Sequence, residues 1–244
     1  MERTHSAAVL DALTGLKEDQ QLLCDMTMQM WNADGSGVYT LDLFANGAIH
    51  RSLALIKGFR SMIREFNMIC AGPLVRMQLD TALRFHAAYL APNAFDFADA
   101  TLSGTEVYKL KTRDGKSMRD AVLVESLTKQ YPWVEAIYKQ ASGFVHLSKV
   151  HTVGTYGKPD TAACVVPVAI TGEDSDLPDS VYLDTIGTFR AAVEVFTDHL
   201  NGWIRLKEGQ PTANIVSLTP PPDGDFSRCN AYLDIRREDA PTSS

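Results

Sequence analysis

The stretch Ala71 to Leu90, AGPLVRMQLDTALRFHAAYL, constrains this chain most. Gly72-Pro73 is a helix-start signal, because proline suits the first turn, where its missing N–H is not needed. After it, Leu74, Val75, Met77, Leu79, Ala82, Leu83, Phe85, Ala87, Ala88 and Leu90 cover most of a helix circumference. A helix that is apolar nearly all round is a buried one. Yet Arg76, Asp80 and Arg84 recur at i, i+4 and i+8, which stacks them on one side. Burying three charges is costly unless they are paired. Two readings follow: an internal salt-bridge ladder that fixes the helix against its neighbours, or a pocket in which Asp80 orients an arginine toward a phosphate or carboxylate.

The rest of the pattern predicts an all-α fold, a bundle of about five or six main helices with a small extended or β insertion near 150–175. Ser6 is positioned to cap a helix over 6–31, with Gly15 able to bend or split it. NADGSG at Asn32 to Gly37 is a break. Residues 39–69 carry Leu41, Phe44, Ala48, Leu55, Phe59, Met62, Phe66 and Ile69 at helical spacing. His50, Lys57, Arg60 and Arg64 fall toward the other side, as a solvated basic face or a surface for a polyanion. Ala94 to Leu102 predicts a short helix, and Glu106 to Lys111 a strand or extended link. Arg113 to Lys116 predicts a turn.

Ser117, with Asp120 three residues on, approximates a capping box for a helix over 118–130. Tyr131-Pro132 then starts another, reaching about Lys149. A last long helix is predicted from Asp179 or Ser180 to about Lys207, stopped by Gly209-Gln210-Pro211. Residues 1–210 read as one helical-bundle domain, and 211–244, with PPPDGD, as a Pro-rich C-terminal tail.

Charge is uneven. The net of −7 divides into −4 over residues 1–34, +4 over 35–150 and −7 over 151–244. The central part could therefore face an anion although the chain as a whole is acidic. The first twenty residues lack the basic-then-apolar pattern of a secretory leader. The longest apolar run, Ala162 to Ile170, is interrupted by Pro167 and far shorter than a membrane span. The four cysteines are widely spaced, with no metal-ligand pattern. These features predict a cytoplasmic protein that binds no membrane, no metal and no cofactor. No P-loop, GxGxxG or GxSxG is present.

A second cluster of chemistry-bearing residues lies in the 132–149 helix. Glu135, Tyr138, Lys139, Ser142 and His146 lie on the side opposite its apolar face. A histidine there can serve as general acid or base near neutral pH. A half-exposed helix face explains the same residues without chemistry. His86, on the far side of the central helix from Arg84, reads as a satisfied core histidine.

Pro73-Leu74-Val75-Arg76 with Asp80 and Arg84, followed by the Tyr138-x-x-x-Ser142-x-x-x-His146 helix, resembles uncharacterised bacterial helical-bundle families. Those families are similar to the HEPN superfamily, whose members include ribonucleases of toxin–antitoxin and phage-defence systems. The resemblance spans roughly residues 39–207. It implies a metal-independent endoribonuclease acting on RNA, with His146 as general acid or base, Arg76 and Arg84 holding phosphate, and a homodimer bringing two sites together. Asp80, Tyr138, Ser142 and Lys139 would bind or orient. One departure stands out: HEPN ribonucleases carry an arginine before the histidine on the same helix, and here Lys139 is the nearest basic residue. Lysine lacks the guanidinium fork. The alternative is a non-catalytic scaffold that binds a partner protein or a small anionic ligand.

Overall fold

The computed structural model describes residues 4–146, 161, 163–168, 171–174 and 176–209. They form seven α-helices and, among the described residues, no strand. The predicted tail at 211–244 and most of the predicted insertion near 150–175 lie outside them. No helix among the described residues is long and apolar enough to cross a membrane.

Helix α1 (Ala7–Asn32) is capped by Ser6, whose Oγ accepts the Val9 N–H. It runs through Gly15 without a split, and the glycine has a packing role. A Cβ there would sit 2.6 Å from Nη1 of Arg190, the arginine that clasps Asp19 with two hydrogen bonds of 2.7 and 2.8 Å one turn later. Helix α2 (Thr40–Arg64) begins with a capping box in which Asp42 Oδ2 accepts the Tyr39 N–H at 2.9 Å.

Helix α3 (Met68–Leu90) corrects the expected start at Gly72-Pro73. The break falls at residues 65–67, where Phe66 adopts a positive φ, and the helix starts at Met68. Asn67 Oδ1 accepts the Cys70 N–H, and Asp174 Oδ2 accepts those of Met68 and Ile69. These carboxyl and amide oxygens satisfy the end of the helix five residues before the proline is reached. Pro73 then sits inside α3, where it supplies no N–H to the helical hydrogen bonds. Gly72 admits the Phe144 ring: a Cβ there would lie 2.5 Å from it.

Helix α4 (Ala94–Leu102) is as expected, capped by Asn93. The link that follows is a 3₁₀ turn at Val107–Lys109, and a single antiparallel bridge pairs Lys111 with Ser117. The Arg113 to Lys116 turn closes through Thr112 N–H to the Lys116 carbonyl, 2.9 Å. Arg113 ties it to the end of α3 through the Leu90 and Ala91 carbonyls. Helix α5 (Asp120–Thr128) is shorter than expected and begins after Arg119, not Ser117. The Ser117 hydroxyl instead donates to the Tyr108 carbonyl. Helix α6 (Val134–Val145) ends at His146, and the remainder of the expected helix lies outside the described residues. Helix α7 (Asp179–Lys207) is close to its expected length.

Helix α3 is the hub. It packs on α2, α4, α5, α6 and α7, and α1 closes the other side against α2 and α7. Phe59, Phe85, Phe189, Phe196 and Trp203 are fully buried, with Phe59 and Phe189 stacked 4.1 Å apart. This apolar packing leaves two sides of α3 to polar clusters: the arginine row, and His86.

Candidate functional site

The arginine row does lie on one face of α3, with Asp80 inside it, and the fold brings a second carboxylate, Asp120, from α5 and a third arginine, Arg51, from α2. Asp80 lies 3.1 Å from Arg84 and 3.7 Å from Arg76, while Arg51 of α2 reaches it at 3.3 Å. Asp120, the first residue of α5, lies 2.5 Å from Arg84 and 3.2 Å from Arg76. Tyr138 of α6 donates its hydroxyl to Asp120 at 2.6 Å, and its ring lies under the Arg76 guanidinium, 3.8 Å from the centroid. The result is three guanidinium groups, two carboxylates and one phenol at the junction of α2, α3, α5 and α6.

The electrostatics agree with the geometry. Burial raises the Asp120 carboxyl, but hydrogen bonds from Tyr138 and Arg84 and both arginine charges outweigh it, so the group is held below its ordinary range. Burial opposes the Arg84 cation, and Asp80 and Asp120 more than reverse that, raising it. Burial and the bond to Asp120 both raise Tyr138. The ladder is thus largely self-neutralised. Arg76, with its side chain 14% exposed, has little surface left for a ligand.

The sequence pattern places Asp120 in a capping box behind Ser117. In the structure its side chain leaves the helix end and joins the arginines. Removing it in Asp120→Ala is expected to cost about 1–2 kcal/mol of stability, with Asp80 still serving both arginines and solvent screening the half-exposed pair. Urea denaturation checks this, and an unchanged midpoint would show that the carboxylate contributes nothing.

The other expected site residues are spread along α6. Ser142 returns its hydroxyl to the Tyr138 carbonyl at 2.7 Å, and Lys139 pairs with Glu135 at 2.6 Å on the exposed face. His146 is exposed at the helix end. Eight residues at 1.5 Å rise put it about 12 Å along the axis from Tyr138. Among the described residues, none of the contacts of the arginine cluster reaches His146. Within one chain, then, Arg76, Asp80, Arg84 and Tyr138 come together, and His146, Ser142 and Lys139 do not join them. Of the basic face on α2, His50, Lys57 and Arg64 are exposed and Arg60 is half-buried.

A second polar cluster lies on another side of α3. His86 Nδ1 is 2.9 Å from His199 Nε2 of α7, and His86 Nε2 is 3.1 Å from the Ser126 hydroxyl of α5. His199 Nδ1 is 2.7 Å from the Val195 carbonyl. Both rings are buried, at 6% and 4% exposure. Burial, reinforced by the neighbouring His199, pushes His86 down to about 3. Burial likewise lowers His199. Both are neutral at pH 7, as two buried rings in contact must be.

The row opens onto a cleft of about 650 Å³ between the end of α3, the 112–116 turn and α5. Its wall includes His86, Ser126 and the buried Thr112, and its rim carries Arg113, Lys116 and Lys129 against Asp114 and Glu125. The volume is that of a small-molecule site.

Comparisons with protein-family models, with curated proteins and with solved structures find no match to this chain. Sequence reading missed Ser126, His199 and the cleft rim. His86 carried a readable signal as a polar side chain on an otherwise apolar helix, but nothing along the chain named its partners 40 and 113 residues away. Among the described residues, no group of three His, Cys, Asp or Glu side chains stands together as a metal site would require.

Proposed function

We propose that this chain is a helical-bundle protein that binds a small anionic ligand in the cleft between α3, the 112–116 turn and α5. One observation carries the reading: a 650 Å³ cleft rimmed by Arg113, Lys116 and Lys129. Neither lysine makes an ion pair among the described residues. Their charges remain open to a ligand, whereas Arg76 and Arg84 are already committed to Asp80 and Asp120. An ammonium supplies a charge-assisted hydrogen bond to a phosphate or carboxylate without demanding a planar fork.

HEPN-like RNA processing has a different observation in its favour. Tyr138, Ser142 and His146 follow one another at i, i+4 and i+8, so a chain of phosphates laid along α6 would meet the arginine cluster at one end and His146 at the other. It requires the arginines to exchange carboxylates for phosphates, which is why we rank it second.

Calorimetric titration with propyl phosphate separates the two. Ligand binding predicts saturable uptake, weakened about tenfold by Lys116→Ala or Lys129→Ala, the loss of one charge-assisted bond. Uptake that neither variant weakens would overturn the cleft. A structured RNA incubated with the protein and with His146→Ala, in chelator, is the parallel arm. Cleavage that vanishes in the variant would favour the ribonuclease.

A further inference from the structure

The Ser126–His86–His199 row has a direction, and that direction restricts what the cleft can hold. It ends on a backbone carbonyl, that of Val195, which can only accept. His199 Nδ1 must therefore carry the hydrogen. A neutral imidazole carries only one, so His199 Nε2 is an acceptor, and His86 Nδ1 is the donor across the 2.9 Å contact. His86 Nε2 is then an acceptor as well, and its partner among the described residues is the Ser126 hydroxyl at 3.1 Å. Ser126 must give its hydrogen to His86. What remains on Ser126, beside the cleft, is oxygen lone pairs.

Burial enforces this order. The rings stand edge to face, with centroids 5.0 Å apart, and Tyr89 donates its hydroxyl to the His199 carbonyl, fixing α7 against α3. Reversing the row would set two N–H groups or two lone pairs against each other inside the core, a penalty comparable to an unsatisfied buried group.

Building on the cleft reading, we infer that the ligand is an anion bearing a hydrogen-bond donor, a hydroxyl or amine, that meets Ser126 while Lys116 and Lys129 hold the charge. Hydroxylated or aminated phosphates and carboxylates fit, and their plain alkyl counterparts lack the second contact. Ser126 is a specificity-determining residue, because a serine already donating to His86 accepts and does not donate.

Four phosphate monoesters test this. 2-Hydroxyethyl phosphate and propyl phosphate differ by O–H for CH₃. 2-Methoxyethyl phosphate and butyl phosphate differ by an acceptor-only oxygen for CH₂. The wild-type protein is expected to bind the hydroxyl probe about five- to tenfold more tightly than propyl phosphate and to gain nothing from the methoxy oxygen. Ser126→Ala is expected to erase the hydroxyl preference, so that 2-hydroxyethyl phosphate binds no more tightly than propyl phosphate. Equal binding of all four, or a preference for the methoxy probe, overturns the inference and leaves the cleft standing. No binding of any probe overturns the cleft reading itself, and the inference with it. If Ser126→Ala does not fold, the wild-type comparison still decides. A ¹⁵N–¹H spectrum of the imidazoles decides the direction without any ligand. Both His86 and His199 are expected as Nδ1–H tautomers, and an Nε2–H assignment for His86 would overturn the inference.

Discussion

Asp42→Ala is expected to lower stability by about 3–5 kcal/mol. Asp42 and Lys207 form an ion pair of 2.9 Å in which both side chains are 0% exposed. The ammonium spends its other two hydrogens on the Met30 and Gly37 carbonyls, at 2.9 and 3.0 Å. The carboxylate also accepts Trp203 Nε1 at 2.7 Å and caps α2 through the Tyr39 N–H. The ion pair thus ties the end of α1, the start of α2 and the end of α7. Removing it leaves a buried cation with no counter-charge, and water cannot reach it. For a chain of this size the loss corresponds to about 6–20 °C in Tm.

The pair is expected to be worth less than its breakage suggests. Asp42→Leu with Lys207→Met, which removes both charges and fills the space, should be milder than either single change. Thermal and urea unfolding of the two singles and the double measure this. Single variants within about 1 kcal/mol of wild type would show that water enters the site.

Acid is the second large lever. His86 is neutral in the folded chain down to about pH 3, whereas the unfolded chain takes up a proton near pH 6.5. A histidine with a depressed folded value contributes stability that is present above its unfolded value and is lost as pH falls below it. Between pH 7 and pH 5 the unfolded state gains a proton at His86 that the folded state refuses, a loss of about 2 kcal/mol. His199, lowered by burial too, acts in the same direction. Asp120 does not blur the experiment. Its folded value is depressed, so its contribution is present above the ordinary carboxylate value near 3.9 and fades only below it. Urea midpoints at pH 7 and pH 5 are expected to separate clearly for wild type and to converge in part for His86→Gln. Equal midpoints in wild type would mean that the row accepts a proton in place.

The arginine ladder shows how much of the site was legible. Arg76, Asp80 and Arg84 share a face because 3.6 residues make a turn, and that periodicity is written in the chain. An otherwise apolar helix also announced that these charges needed partners. Which partners was another matter. Asp120 looked like the fourth position of a capping box, and the same carboxylate could serve either purpose until α5 was docked on α3. Tyr138 was singled out for its spacing to Ser142 and His146, yet its contacts are with Arg76 and Asp120, while His146 stands at the exposed end of α6.

The start of α3 makes the same point on a smaller scale. Gly72-Pro73 is a sound local signal, but Asp174, more than a hundred residues on, supplies the carboxylate that lets the helix begin at Met68. Local order, namely which segments are helical and which faces they bury, was determined by the sequence alone, because hydrophobic period and capping chemistry act within a few residues. The pairings that give this protein its polar sites were decided only in the tertiary structure. Asp42 with Lys207 and Ser126 with His86 and His199 join residues far apart in the chain. A buried polar group requires a partner, but no periodicity in the chain says where that partner will come from.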